Sequence, residues 1–261
     1  MNALPPWPIR LLDLARGRRP PFALCYHGVG HVPPGTDPNG LFVTPAAFAE
    51  HLDLLAEWGY TIVGAAELWR RIARGEAEGV GAITFDDALR QTAREAAPLL
   101  AERGMGASMY VATGLIGGRH PDVGHDEPIM TAAEIVELAA AGFEIGTHSV
   151  DHVPLPSLTD AELRDQLERS RATLEDLLGR PVTTMAYPFG LHDARVVAAA
   201  RAAGYELACG CSGAGPWDPL RLPREPIFPR ATSARLRAKV AGLYGPLRRI
   251  AEFRNRLARS G

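Results

Sequence analysis

Cysteine is scarce: Cys25, Cys209 and Cys211 are the only three in 261 residues. An odd count with one tight C-x-C pair is a poor disulfide framework and points to a reducing compartment. Cys209-Gly210-Cys211 has the spacing of half a zinc site, but no second cysteine pair completes one. Small buried side chains are the better reading. Long apolar runs are lacking too, with none near the roughly 18 residues that span a membrane. The stretch MNALPPWPIRLLDLARGRRPP has prolines where a secretory signal needs an apolar segment, so a cytoplasmic protein is expected. Nor does one sign of charge dominate: 28 Lys and Arg face 30 Asp and Glu. That balance provides no global field for nucleic acid.

What the chain has is a large apolar fraction, 46%, against 22% charged residues, enough for a sizeable core. Short β-like runs alternate with helical ones. The runs at 22–26, 60–63, 82–85, 107–111, 143–145, 183–187 and 205–208 read as strands. Helices are expected between them. Thr44-Pro45 is an N-cap followed by proline at N1, and Thr131/Glu134 and Thr159/Glu162 have the capping-box spacing. Such alternation argues for a mostly parallel α/β sheet or barrel, with chemistry gathered where strands end. No internal repeat or composition break appears within 20–230, so a single domain is expected over 21–230. An N-terminal extension (1–20) and a basic tail (231–261) flank it. From Arg230 onward nine basic residues accompany one acid, Glu252. Leu247, Ile250, Phe253 and Leu257 can share one face of a helix there. Residues 246–261 then either pack on the domain, the favoured reading, or lie on the inner face of an anionic membrane.

Two places carry the chemistry. Asp86 and Asp87 directly follow the strand run AITF. Adjacent carboxylates there repel each other and lose solvent unless a cation sits nearby, although Asp87 capping a helix is the simpler alternative. His148 and His152 follow FEIG, and Pro154 and Pro156 block a long regular helix after them. Two histidines four apart can converge on one metal if the backbone turns, and two histidines with one carboxylate make an open, hydrolytic type of site.

The order of TFDD (84–87), HSVDH (148–152) and AYPFG (186–190) resembles the polysaccharide deacetylase family, also called carbohydrate esterase family four. The resemblance runs over roughly 22–230. It implies a distorted (β/α) barrel of about seven strands and hydrolysis of N-acetyl groups on an amino sugar or oligosaccharide. It also implies one divalent metal, zinc, bound by Asp87, His148 and His152, with Asp86 as general base. The segment Tyr187-Pro188-Phe189 would form a wall of the site, with the Phe189 N–H toward the oxyanion. Three departures stand out. Ala88 replaces a frequent glycine. Ala186 occupies the position of an arginine that orients the base, so Arg224 is the candidate by analogy. The usual C-terminal Leu-x-His is missing, whereas Leu24-Cys25-Tyr26-His27 resembles the branch with that motif permuted to the N-terminus. His27 would then be the general acid. His125 is left between a substrate loop and exposure, His192 is expected at a helix start, and His31, His51 and His120 are expected to face solvent. Two other activities stay open: hydrolysis of a formamide, cyclic imide or ureide, and silent carbohydrate binding on the same scaffold.

Overall fold

Strand β1 (Phe22–Tyr26) is buried at every position, as is β5 (Val80–Phe85). Unbroken burial, rather than alternation, marks strands covered on both faces, the situation of a parallel sheet wrapped by helices. The protein is described by a computed structural model over residues 17–121, 123, 127–211, 217–229 and 231–244. The expected tail helix at 246–261, His125 and residues 1–16 of the extension lie outside the described residues.

The elements follow in the expected alternation. After β1 come β2 (Gly28–Val29), β3 (Phe42–Val43), α1 (Pro45–Glu57), β4 (Thr61–Val63) and α2 (Ala65–Arg74). Next are β5, α3 (Arg90–Ala101), β6 (Ser108–Val111), α4 (Ala132–Ala140) and β7 (Glu144–Thr147). The chain continues through α5 (Asp160–Leu178), β8 (Thr184–Ala186), α6 (Ala194–Ala202), β9 (Leu207–Cys209), β10 (Glu225–Pro226) and α7 (Ser233–Val240). Both capping boxes form, and Thr44 Oγ1 accepts from Ala47 N–H ahead of Pro45. Each cap satisfies amide donors that a helix start otherwise leaves unpaired.

All pairings in the main sheet are parallel, in the order β10-β1-β5-β6-β7-β8-β9, with β4 beside the first half of β5. β6 takes over the same edge of β5 at Thr84 and Phe85. Residues 222–226 span the remaining gap: Leu222 bridges to Cys209, and Glu225-Pro226 pairs with Leu24-Cys25. The sheet is therefore curled into the distorted barrel of a single α/β domain. Its largest apolar cluster, including Phe48, Leu52, Ile83 and Phe85, lies between sheet and helices.

The start of the segment read as a tail packs against the domain through Leu236 and Val240, and Lys239 pairs with Glu225 at 3.3 Å. Among the described residues no helix is long and apolar enough to cross a membrane. The strands all run one way, so their C-terminal ends share one rim. On that rim stand His27 after β1, Asp86 after β5, His148 after β7 and Phe189 after β8.

Candidate active site

The backbone at the rim is tightly bent. Asp87 (φ 70°), Ala88 (φ 49°), Ser149 (φ 63°), His152 (φ 51°) and Phe189 (φ 58°) are the non-glycine residues with left-handed backbone among the described residues. Four fall in the three motifs, and Ala88 directly follows the first. Such conformations cost about 1–3 kcal/mol each and persist where the surroundings enforce them. The value at Ala88 gives a physical reason for a glycine preference there.

Asp86 is buried and bound in two-pronged fashion by Arg224: Nη1 donates to Oδ1 at 2.7 Å and Nη2 to Oδ2 at 2.8 Å. Arg224 is itself fully buried. Its Nε donates to the Gly210 carbonyl at 2.8 Å, and Nη1 also reaches Thr84 Oγ1 at 2.9 Å. Fork-to-fork pairing fixes both the position and the ionisation of the carboxylate. Burial alone would raise the Asp86 pKa; the guanidinium, helped by His148 and His27, outweighs it and brings it down to about 2. The Cys25 thiol adds a contact to Oδ2 at 3.3 Å.

Asp87, also buried, has different company. Its Oδ1 faces Nε2 of His120 at 3.2 Å, of His152 at 3.5 Å and of His148 at 3.7 Å, and accepts no aligned hydrogen bond. Burial again raises the pKa, and the surrounding histidines, His120 foremost, lower it overall. His148 places Nδ1 2.8 Å from the Ala186 carbonyl. A carbonyl only accepts, so Nδ1 carries a proton, and Nε2 is the ring nitrogen turned toward Asp87. For His152, burial and the proximity of His148 bring the pKa down to about 3, so the ring is neutral near pH 7.

Donor atoms of Asp87, His148 and His152 lie within 4.8 Å of one another. Imidazole nitrogens converging on a carboxylate oxygen without an aligned donor are the donor set a divalent ion takes. These three residues could hold one. A second group, Cys25, His27 and Asp86, is equally close together. Both of its carboxylate oxygens already serve Arg224, so the cation there is the guanidinium.

His27, Asp86, Asp87, His148, His152 and Phe189 line one cleft of about 370 Å³. The Phe189 ring is half exposed at its mouth, 4.6 Å from the His152 ring. Arg224, proposed by analogy for the missing arginine, stands on Asp86. Tyr187 and Pro188 are placed differently from the expected wall. Tyr187 is buried in the core with its hydroxyl donating to the Leu220 carbonyl at 2.9 Å, and Pro188 is buried beside it. A three-residue turn with left-handed Phe189 presents Phe189 and Gly190 to the cleft instead.

Two histidines expected in solvent are buried. His51 bridges the Tyr26 hydroxyl and the Ala231 carbonyl, each at 3.1 Å. His120 reaches the cleft itself. Its position comes from long-range pairing of the loop that carries it, which leaves no local pattern to read. His192 precedes the α6 cap Asp193 and stacks on Tyr187 at 4.7 Å. Cys209 and Cys211 diverge: one meets the Tyr110 hydroxyl at 3.2 Å and the other lines the cleft.

A curled parallel barrel with an acidic pair and clustered imidazoles on its C-terminal rim defines an α/β-barrel class of protein with a rim site, and comparison with known proteins assigns the family. The family model described as polysaccharide deacetylase matches residues 73–208, more than half of the chain. The protein belongs to the polysaccharide deacetylase family. YxkH of Bacillus subtilis (strain 168), whose name places it in the same family, is 25% identical over 186 residues, covering 70% of this chain. The alignment spans 62% of that relative's length. Among solved structures, the Streptococcus pyogenes deacetylase PplD superposes with a TM-score of 0.74 at 23% identity, covering 85% of this chain and 98% of its own. The polysaccharide deacetylase BC0361 from Bacillus cereus gives 0.72 at 24% identity, covering 85% of this chain and 69% of its own. At these identities the two structures speak to the fold.

Proposed function

We propose that the protein is a metal-dependent carbohydrate N-deacetylase. It removes acetyl groups from an amino sugar in a glycan or glycan precursor, and Asp87, His148 and His152 hold one zinc ion. One observation carries the reading: two adjacent carboxylates have opposite partners, a guanidinium for Asp86 and imidazoles for Asp87. That division suits one carboxylate to proton transfer and the other to binding a cation. Family membership supplies the acetylated carbohydrate as substrate class.

A divalent ion held by Asp87, His148 and His152 would supply polarisation of the acetamide carbonyl and a lowered pKa for water. Asp86, kept ionised and oriented by Arg224, takes a proton from the attacking water. The water oxygen bonds to the carbonyl carbon. The C–N bond breaks as His27 delivers a proton to the nitrogen, leaving a free amine and acetate. The Phe189 N–H is assigned to the developing oxyanion, and its exposed ring offers a sugar an apolar face.

The test is release of acetate from N-acetylated sugars, nucleotide sugars and oligosaccharides by zinc-loaded protein, with formate and ring opening assayed in parallel. Acetate release that chelation abolishes is expected. Formate or ring-opened product in its place would reassign the substrate to another amide. Zinc binding without hydrolysis of any of these would leave a carbohydrate-binding role. Asp86→Asn is expected to lower turnover about 10²–10⁴-fold, the usual worth of a general base, with zinc content unchanged. Wild-type turnover in this variant would remove Asp86 from the base role.

A further inference from the structure

We propose that His120 is a fourth side chain of the metal centre, a positioning residue that holds Asp87 and so sets how tightly the centre binds a divalent ion. The inference rests on the metal site proposed above. Of the three imidazole nitrogens facing Asp87 Oδ1, that of His120 is the nearest, at 3.2 Å. The His120 ring is buried and meets the His152 ring edge-on at 4.5 Å. His120 thus touches two of the three ligand residues. At 3.2 Å without hydrogen-bond alignment, the contact steers the carboxylate while leaving an Oδ1 lone pair for the ion.

The surrounding loop is built to make this contact. Residues 117–119 run alongside residues 128–130: Gly117 N–H donates to Met130 O and Ile129 N–H to Gly118 O, each at 2.9 Å, and Arg119 bridges Pro128. The returning arm is stitched to the residues directly after Asp87. Met130 N–H donates to Ala88 O at 3.0 Å, Arg90 N–H to Pro128 O at 2.9 Å, and Gln91 N–H to Glu127 Oε1 at 2.6 Å. Leu89 pairs with Ile129. One arm therefore carries His120 while the other is locked to the backbone that presents Asp87, which fixes the two side chains against each other. Groups that orient ligands in this way are typically worth about 10–100-fold in metal affinity.

The test uses the full chain, stripped of metal, titrated with zinc against a chromophoric chelator and separately with cobalt(II). His120→Phe keeps a ring against His152 but has no nitrogen; His120→Gln keeps an N–H able to reach Asp87 and is a weak metal ligand. Metal-free melting curves of both variants check folding. The Phe variant is expected to bind zinc about 10–100-fold more weakly. The Gln variant should recover most of that loss, with cobalt(II) absorption bands where the wild type has them. Wild-type affinity in a folded Phe variant would overturn the proposal. Equal loss in both variants with shifted cobalt bands would make His120 a direct ligand and overturn the positioning role. Failure of the wild type itself to bind zinc or cobalt would instead overturn the underlying metal site, for which Asp87→Ala is the control.

Discussion

Arg224 stands 138 residues from Asp86 in the chain, yet both guanidinium prongs end on that carboxylate. Ala186, where the family resemblance led us to expect an arginine, is fully buried, and its carbonyl serves His148 instead. The orienting charge reaches the same carboxylate from the segment that bridges β9 and β1. Replacing it by Arg224→Met leaves a buried carboxylate without its cation, at a cost of about 3–5 kcal/mol in denaturant unfolding at pH 7. The pH dependence has a definite sign. In the folded protein Asp86 titrates at about 2, below its ordinary 3.8, so its pairing stabilises fully above pH 4 and is lost as pH falls toward 2. Without Arg224, only His148 and His27 oppose burial, and the pKa rises. The acid limb of the kcat/KM profile is expected to move to higher pH. Lost stability with an unmoved limb would make Arg224 a structural residue only.

At the scale of elements, local chemistry was readable wherever it was local. The capping boxes at Thr131 and Thr159, the Thr44-Pro45 helix start and the buried runs of β1 and β5 were all legible, because caps and periodicity are encoded within a few residues. β2, β3 and β10, two residues each, are too short to show a period. β7 runs on to Thr147, past the Ile145 where the apolar run suggested an end, because its partner β6 continues alongside to Val111. Gly146 on that strand illustrates a close approach: a Cβ there would sit 2.6 Å from the Tyr110 ring and from Thr184 Oγ1. Gly146→Ala is therefore expected to destabilise the fold by about 1–3 kcal/mol, the usual range for overpacking, measured as a lowered denaturation midpoint at unchanged m-value. An unchanged midpoint would mean that β7 and β8 separate without cost.

The whole molecule adds closure. Parallel strands put every strand end on one rim, and curling brings the ends of β1, β5, β7 and β8 around a single cleft. A metal bound there would tie together loops from β5 and β7, so binding would couple directly to global stability. Zinc at about 100 times its dissociation constant should stabilise the fold by about 2.7 kcal/mol, seen as a higher melting temperature that a chelator reverses. Asp87→Ala should show no such rise. A zinc-induced rise of equal size in that variant would place the ion elsewhere.

By itself the sequence determined the alternation of strands and helices, the single α/β domain, and which carboxylates and histidines follow strand ends. Those properties follow from periodicity, caps and adjacent residues. Only the tertiary structure decided the partners. Arg224 came to Asp86 through the bridging segment, Tyr187 turned into the core while Phe189 faced the cleft, and His120 arrived beside Asp87. Each depends on how distant backbone segments pair, and a side chain's local sequence does not record which remote carboxylate it will meet.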